Sequence, residues 1–203
     1  MTSAPSTPSR GGGSILARIA QPVLLLAIMW VVRVLDDLLP GDANGEFGLR
    51  SWALDGLDGV LFGPGLHAGW PHLLANSIPF VVLGVLVALD GVGRFWAVTG
   101  IIAVVGGLGT WIFSAPGVVT VGASGLVFGY FGYLLVRAFV APSLGHGILY
   151  ALIATVMAVL YGGSMLTGVF AAPAGVSWQA HLFGAIGGGV AAILMRPKRA
   201  AAP

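Results

Sequence analysis

The stretch VGASGLVFGYFGYLLVRAFV, residues 121–140, is an apolar run of membrane-spanning length whose one charge, Arg137, lies near its end. A hydrocarbon core about 30 Å thick needs about 20 mainly apolar residues per helix, so this stretch predicts a transmembrane helix. The whole 203-residue chain has the same character: 57% of its residues are hydrophobic, 8% are charged, and its mean hydropathy is +0.97. These values lie outside the range of soluble domains and predict an integral membrane protein.

Five further segments approach the same length, and the 33 glycines favour close packing of helices in lipid. The predicted fold is an all-α membrane protein, a compact bundle of six transmembrane helices. The predicted spans are 16–35, 70–89, 94–113, 121–140, 147–162 and 178–195. Residues 1–14 are predicted to be a disordered tail, 15–196 the transmembrane domain, and 197–203 a second tail.

Two long connections separate the predicted spans. Residues 40–69 interleave large apolar side chains with charges, so they predict an amphipathic loop in the outer interface. Residues 163–177 carry no charge and are rich in Gly and Ala, so they predict a mobile lid.

Positive charges predict the orientation of the bundle, because Lys and Arg concentrate on the cytoplasmic side of membrane proteins. With both termini in the cytoplasm, seven basic residues lie on that side and only Arg33 and Arg50 lie outside. The seven are Arg10, Arg18, Arg94, Arg137, Arg196, Lys198 and Arg199. The predicted location is therefore a bacterial-type cell membrane, crossed several times, with helices two, four and six starting at the external side. The small net charge gives no indication of nucleic-acid binding.

Polar side chains inside membrane helices are costly, so those within a span are candidates for function. His72 and Asn76 are four residues apart, on one face near the outer end of helix two. Ser124 lies at the outer end of helix four, and His181 lies one turn into helix six. All of them are predicted to lie at similar depth on the external side.

Small residues predict that two of these helices approach closely. Gly125 and Gly129 repeat at four residues in helix four, as Gly184 and Gly188 do in helix six. Such pairs let helix backbones come into near contact. Packing of these faces would bring Ser124 towards His181, and a hydroxyl within hydrogen-bond reach of an imidazole is an activated nucleophile.

The residues available limit the chemistry to a Ser-His dyad. The chain has no cysteine, so the nucleophile has to be a hydroxyl. No acid is predicted in the outer half of any span, and Asp90 is placed at the cytoplasmic side, so the third member of a soluble triad is missing. His72 and Asn76 can then serve as donors to the oxyanion of a tetrahedral intermediate.

Each residue also has a purely structural interpretation. Ser124 could be packing material in a small-residue string, and the other polar groups could only bond neighbouring helices. Their common depth on three converging helices favours a site instead. His67 is interpreted as a loop residue that helps to position the start of helix two, and His146 falls on the cytoplasmic side.

Other reaction classes lack their signatures. A zinc protease would show the motif His-Glu-x-x-His, which is absent from the sequence. An aspartyl intramembrane protease needs two acidic residues within the spans, and the predicted spans do not supply them. A proton-coupled transporter would usually carry ionisable residues near the bilayer midplane and repeated span patterns, and neither is visible.

Three linked motifs resemble the rhomboid family of intramembrane serine proteases. They are His67 followed by His72-Leu-Leu-Ala-Asn76, then Gly122-Ala-Ser124-Gly125, then Ala180-His181-Leu-Phe-Gly184. Their order and spacing agree with the family over about residues 16–196.

The resemblance implies a protease that acts on transmembrane protein substrates in the lipid bilayer, with no cofactor and no metal. Ser124 would be the nucleophile and His181 the base, with His72, Asn76 and the Ser124 backbone amide as oxyanion donors. Phe128 stands where the family often has a Tyr that supports the base, so the ring is kept without the hydroxyl. The family's Trp-Arg pair in the first loop is replaced by Arg50-Ser51-Trp52. The alternative is an inactive relative that binds membrane proteins without cutting them, and the presence of both Ser124 and His181 favours the enzyme.

Overall fold

Each of the six predicted spans overlaps a helix. In the computed structural model, which describes residues 14–141 and 143–196, the chain is mostly helical. The helices are α1 (Ile15–Leu38), α2 (Ala43–Phe47), α3 (Gly59–Phe62), α4 (Trp70–Ala88), α5 (Val92–Phe113), α6 (Ser124–Phe139), α7 (Leu144–Phe170) and α8 (Trp178–Leu194). Two-residue strands β1 (Leu49–Arg50) and β2 (Val119–Thr120), which the sequence did not predict, pair antiparallel. The predicted tails at 1–13 and 197–203 lie outside the described residues.

Within the part of the chain that the structure describes, four helices are long and apolar enough to cross a membrane: α1, α4, α5 and α7. The helices α6 and α8 are also apolar but have 16 and 17 residues, fewer than the roughly 20 of a full span. Both short helices begin at or just before a candidate site residue. The chain is thus a multi-pass membrane protein by the length and composition of its helices.

The beginning of α6 differs from the prediction for a stereochemical reason. Gly122 has φ +117°, which a right-handed helix does not accept, so the chain turns there and α6 begins at Ser124 instead of Val121. The turn is fixed by the Gly122 N–H, which donates to the carbonyl of Gly63 at 2.9 Å.

The prediction that the connection spans 163–177 is wrong for residues 163–170, which lie in α7. Helix α7 continues through Gly162 and Gly163 to Phe170, so the connection to α8 is only 171–177. A glycine inside a helix costs about 1 kcal/mol relative to alanine, which packing can offset. Here Met165 and Gly168 are buried against the neighbouring helices, so the helix persists beyond the glycine pair.

Helices α6 and α8 form the centre of the bundle, with α5 packed against α8 and α1 against α4. Glycines set the close approach of α6 to α8. A Cβ built on Gly188 would lie 1.8 Å from the carbonyl oxygen of Gly129, and one built on Gly184 would lie 2.2 Å from that of Gly125. The two predicted small-residue faces therefore do pack against each other.

The connection between α1 and α4 is folded against the bundle by polar contacts. Arg33 at the end of α1 forms a salt bridge with Asp36 at 2.8 Å and donates to the carbonyl of His67 at 3.0 Å. Trp52 donates through Nε1 to the Ser114 carbonyl at 3.0 Å and stacks on Trp111. This loop is thus held near its middle and close to the start of α4.

A polar cluster lies at the opposite end of α4 from His72. Asp90 accepts hydrogen bonds from the hydroxyls of Tyr133 and Tyr150, and its carboxylate lies 3.4 Å from Arg137 Nε. Arg137 is only 5% exposed. The single acid beyond residue 58 therefore pairs with a buried arginine, remote from the candidate site.

Candidate active site

Ser124 is presented by a tight turn between β2 and α6. The positive φ of Gly122 reverses the chain so that Ser124 becomes the first residue of the helix. A Cβ on Gly122 would lie 2.5 Å from Cε1 of His72, so only glycine lets this turn approach the His72 ring so closely. The turn therefore positions Ser124 and His72 together.

His181 lies in the first turn of α8, 6% exposed, and contacts Ser124 directly. Its Nε2 is 2.9 Å from the Ser124 Oγ, and its Nδ1 is 2.8 Å from the carbonyl oxygen of Gly168. A carbonyl only accepts hydrogen bonds, so in the neutral ring Nδ1 carries the hydrogen. Nε2 then presents its lone pair to the serine hydroxyl, which is the arrangement of an activated nucleophile.

The ring of Phe128 supports His181. The two ring centroids are 4.0 Å apart and the planes differ by 4°, a parallel stack. Phe128 lies one turn after Ser124 on α6, so it presents its ring on the same side of the helix. The stack restricts the tilt of the imidazole, and the hydrogen bonds to Ser124 and Gly168 restrict its rotation.

His72 and Asn76 lie one turn apart at the start of α4. Asn76 is 6% exposed, and its Nδ2 donates to the His72 carbonyl at 3.0 Å, which leaves one N–H of the amide for another acceptor. The ring of His72 lies against Gly122, in the turn that precedes Ser124. The structure thus brings His72 to the serine turn, with Asn76 one turn further along the same face of α4.

His67 has a closer connection to the serine than the sequence indicated. It is 2% exposed, and its Nε2 accepts a hydrogen bond from the Ala123 backbone N–H at 3.4 Å, one residue before Ser124. Burial, together with the neighbouring His72 and Arg33, lowers the pKa of His67 to about 4, although the hydrogen bond to the Gly65 backbone acts in the opposite sense. The ring is therefore neutral at pH 7 and can accept from Ala123.

The backbones of the serine and histidine helices touch at this level. A Cβ on Gly125 would lie 3.3 Å from the Ala180 carbonyl oxygen, and Gly184 packs on Gly125 as described above. Gly125 and Gly184 thus lie between the two helices, close to the hydrogen bond between Ser124 and His181.

Two further observations bear on the chemistry of the site. Among residues 14–141 and 143–196, no group of three or more His, Asp or Glu side chains is placed to hold a metal ion. In the same part of the chain, the acceptor found at His181 Nδ1 is a backbone carbonyl and not a carboxylate. Gly168 supplies this acceptor, and sequence reasoning did not single it out.

Comparison with known proteins gives a consistent result. The sequence profile of the Rhomboid domain matches residues 59–198. An uncharacterized protein of Mycobacterium tuberculosis is 41% identical over 199 residues, which cover 94% of this chain and 78% of that protein. The protein named "Putative rhomboid protease YdcA" of Bacillus subtilis is 33% identical over 163 residues, 78% of this chain and 72% of that protein.

Proposed function

The chain belongs to the Rhomboid family, and on that premise we propose that it is an intramembrane serine endopeptidase with Ser124 as nucleophile and His181 as base. The observation that carries the proposal is the 2.9 Å contact between Ser124 Oγ and His181 Nε2. A serine that only fills space between helices does not require a hydrogen bond to an imidazole whose second nitrogen is also hydrogen-bonded. The contact is what a nucleophile and its base require.

The mechanism follows from the atoms in contact. Ser124 Oγ attacks the carbonyl carbon of the scissile peptide bond while its proton passes to His181 Nε2. The tetrahedral intermediate collapses to an acyl-enzyme when His181 returns that proton to the leaving amine. A water molecule then repeats the sequence, with His181 as base, and releases the acid product and free Ser124.

Three groups support stabilisation of the oxyanion. The Ser124 N–H is the first of α6, so it has no partner within the helix, and the positive end of the helix dipole lies there. The ring of His72 lies against the serine turn, and the second N–H of the Asn76 amide lies one helical turn further along α4. Removal of one such donor typically lowers kcat about 10²- to 10³-fold, so these groups are a substantial part of catalysis.

The proposed membrane arrangement has six spans, both termini in the cytoplasm and the site open to the external side of the cell membrane. The distribution of Lys and Arg favours it. The shortness of α6 and α8 supports it as well, because helices that begin below the membrane surface leave room for water above Ser124 and His181. Hydrolysis needs that water, which the lipid itself does not supply.

The proposed substrates are membrane proteins cut in or near a transmembrane segment. A helix has to unwind before its carbonyl becomes accessible to Ser124, so glycine, proline or small residues near the cut site should favour cleavage. Replacement of those residues by leucine in a substrate that is cut should slow cleavage. Equal rates for both substrates would contradict this preference.

The function is tested by cleavage of a panel of fluorescent transmembrane substrates in liposomes by wild type, Ser124→Ala and His181→Ala. We expect wild type to cut, and both variants, folded to the same thermal stability, to be inactive. Absence of cutting by folded wild type across the panel would favour a relative that binds membrane proteins without cutting them.

A further inference from the structure

The hydrogen bond at the far side of His181 comes from the end of a helix. Gly168 lies in the last turn of α7, which ends at Phe170, and its carbonyl oxygen is 2.8 Å from His181 Nδ1. The last carbonyls of a helix have no partner within it. The imidazole therefore meets an acceptor that the helix leaves free.

A carboxylate at this position in a soluble serine protease does two things. It holds the imidazole in the tautomer with hydrogen on Nδ1, and it stabilises the imidazolium that forms when the serine is deprotonated. A carbonyl acceptor fixes the same tautomer. The C-terminal end of a helix also carries roughly half a negative charge, which favours a nearby cation.

We propose that the last turn of α7, acting through the Gly168 carbonyl, takes the place of the missing acid and orients His181 for catalysis. This inference rests on the proposed function, and Gly168 is a positioning residue because it acts through His181. The base would then be competent only while the C-terminal end of α7 lies against α8.

The identity of residue 168 supports this role. A Cβ there would lie 2.8 Å from His181 Nδ1 and 2.9 Å from Cζ of Phe128, closer than such atoms approach. A side chain would thus push the backbone away from the imidazole or displace the ring from its stack. By contrast, a Cβ on Gly163 in the same helix would meet nothing within 4 Å.

The contact between Gly168 and His181 depends on the position of α7, a helix that is largely exposed. Only five of its 27 residues are buried, namely Tyr150, Ala154, Met157, Met165 and Gly168. Displacement of its C-terminal end would take the acceptor away from Nδ1. Proton transfer from Ser124 would then wait until α7 returns.

The direct test weakens this one carbonyl. Replacement of Val169 by its α-hydroxy analogue turns the Gly168 amide into an ester, whose carbonyl is a poorer acceptor. The matched control places the α-hydroxy analogue of phenylalanine at position 170. It weakens the Val169 carbonyl in the same way and leaves the Gly168 amide unchanged. We expect the ester at 169 to lower kcat about tenfold, as loss of a good hydrogen bond to a charged group would, and to leave KM within twofold.

Two readouts separate positioning from a general structural effect. The acid limb of the pH profile of kcat should move to lower pH in the ester at 169, because the imidazolium loses stabilisation, and should not move in the control. The NMR signals of the His181 ring nitrogens and of the Nδ1 proton are assigned by their loss in His181→Ala. They should show hydrogen on Nδ1 in wild type and a weaker Nδ1 hydrogen bond in the ester at 169. If the ester at 169 matches the control in kcat and in these signals, the inference is wrong.

A genetic variant provides an independent arm. Gly168→Ala should lower kcat about 100-fold with KM nearly unchanged, because a misplacement of about 1 Å costs that much, and Gly163→Ala should match wild type. Full kcat in Gly168→Ala would overturn the inference while proteolysis by Ser124 stood. If wild type shows the bonded Nδ1 proton but cuts no substrate, the proposed function fails and the orienting contact remains.

Discussion

Gly184→Ala tests whether the close approach of α6 and α8 creates the site. The new Cβ would lie 2.2 Å from the Gly125 carbonyl oxygen, whereas real Cβ contacts essentially never fall under 3.0 Å. The two backbones must therefore separate locally by nearly 1 Å. The Ser124–His181 contact, 2.9 Å long, would lengthen beyond hydrogen-bond range if the helices moved apart along it.

The expected result is a loss of kcat of about 30- to 100-fold, the cost of a misplacement of roughly 1 Å, with a free energy of unfolding lower by about 1–3 kcal/mol from overpacking. The assay compares steady-state cleavage and thermal unfolding in the same liposomes. Gly189→Ala is the control, since its Cβ would lie 3.4 Å from the nearest atom, Val136 Cγ2, which is ordinary contact. A Gly184→Ala protein with kcat within twofold of wild type would show that the close approach of α6 and α8 does not create the site.

Three further perturbations probe other parts of the account. Asn76→Ala should lower kcat about 100-fold in the cleavage assay with KM unchanged, because one oxyanion donor is lost; a change in KM alone would contradict that role. Asp90→Ala should lower the free energy of unfolding by about 3 kcal/mol, since it leaves the buried Arg137 without its carboxylate, while kcat stays at the wild-type value. The depressed pKa of His67, about 4, means that the unfolded chain binds a proton between pH 6.5 and 4 that the folded chain does not. Stability should therefore fall by about 3 kcal/mol as the pH drops through that window, and denaturation of His67→Gln should show a shallower slope; equal slopes would contradict the assigned burial.

The sequence predicted the helices and the central contact because both depend on local signals. Apolar runs of membrane-spanning length mark the helices, and glycines spaced four apart mark the faces of α6 and α8 that meet. Once those faces pack, Ser124 and His181 are brought together. Two boundaries next to the site differ from the prediction: α6 begins at Ser124 and not at Val121, and α7 continues to Phe170 because Met165 and Gly168 pack against the bundle.

The parts that the sequence did not predict depend on contacts between distant backbones. The bond from the Ala123 N–H to His67 joins two loops 56 residues apart. The acceptor for His181 Nδ1 is a main-chain carbonyl, which every residue has, so no residue type marks it. The requirement for glycine at position 168 follows only from the structure, in which the rings of His181 and Phe128 leave no room for a Cβ.

The central claim is that Ser124 becomes covalently bonded to the carbonyl carbon of a substrate with help from His181. Its most direct test is mass spectrometry of the protein in liposomes after reaction with a fluorophosphonate, which captures an activated serine hydroxyl. We expect one adduct, on the peptide that contains Ser124, and its loss in a folded His181→Ala protein. An adduct on another residue, or continued substrate cleavage by Ser124→Ala, would contradict it.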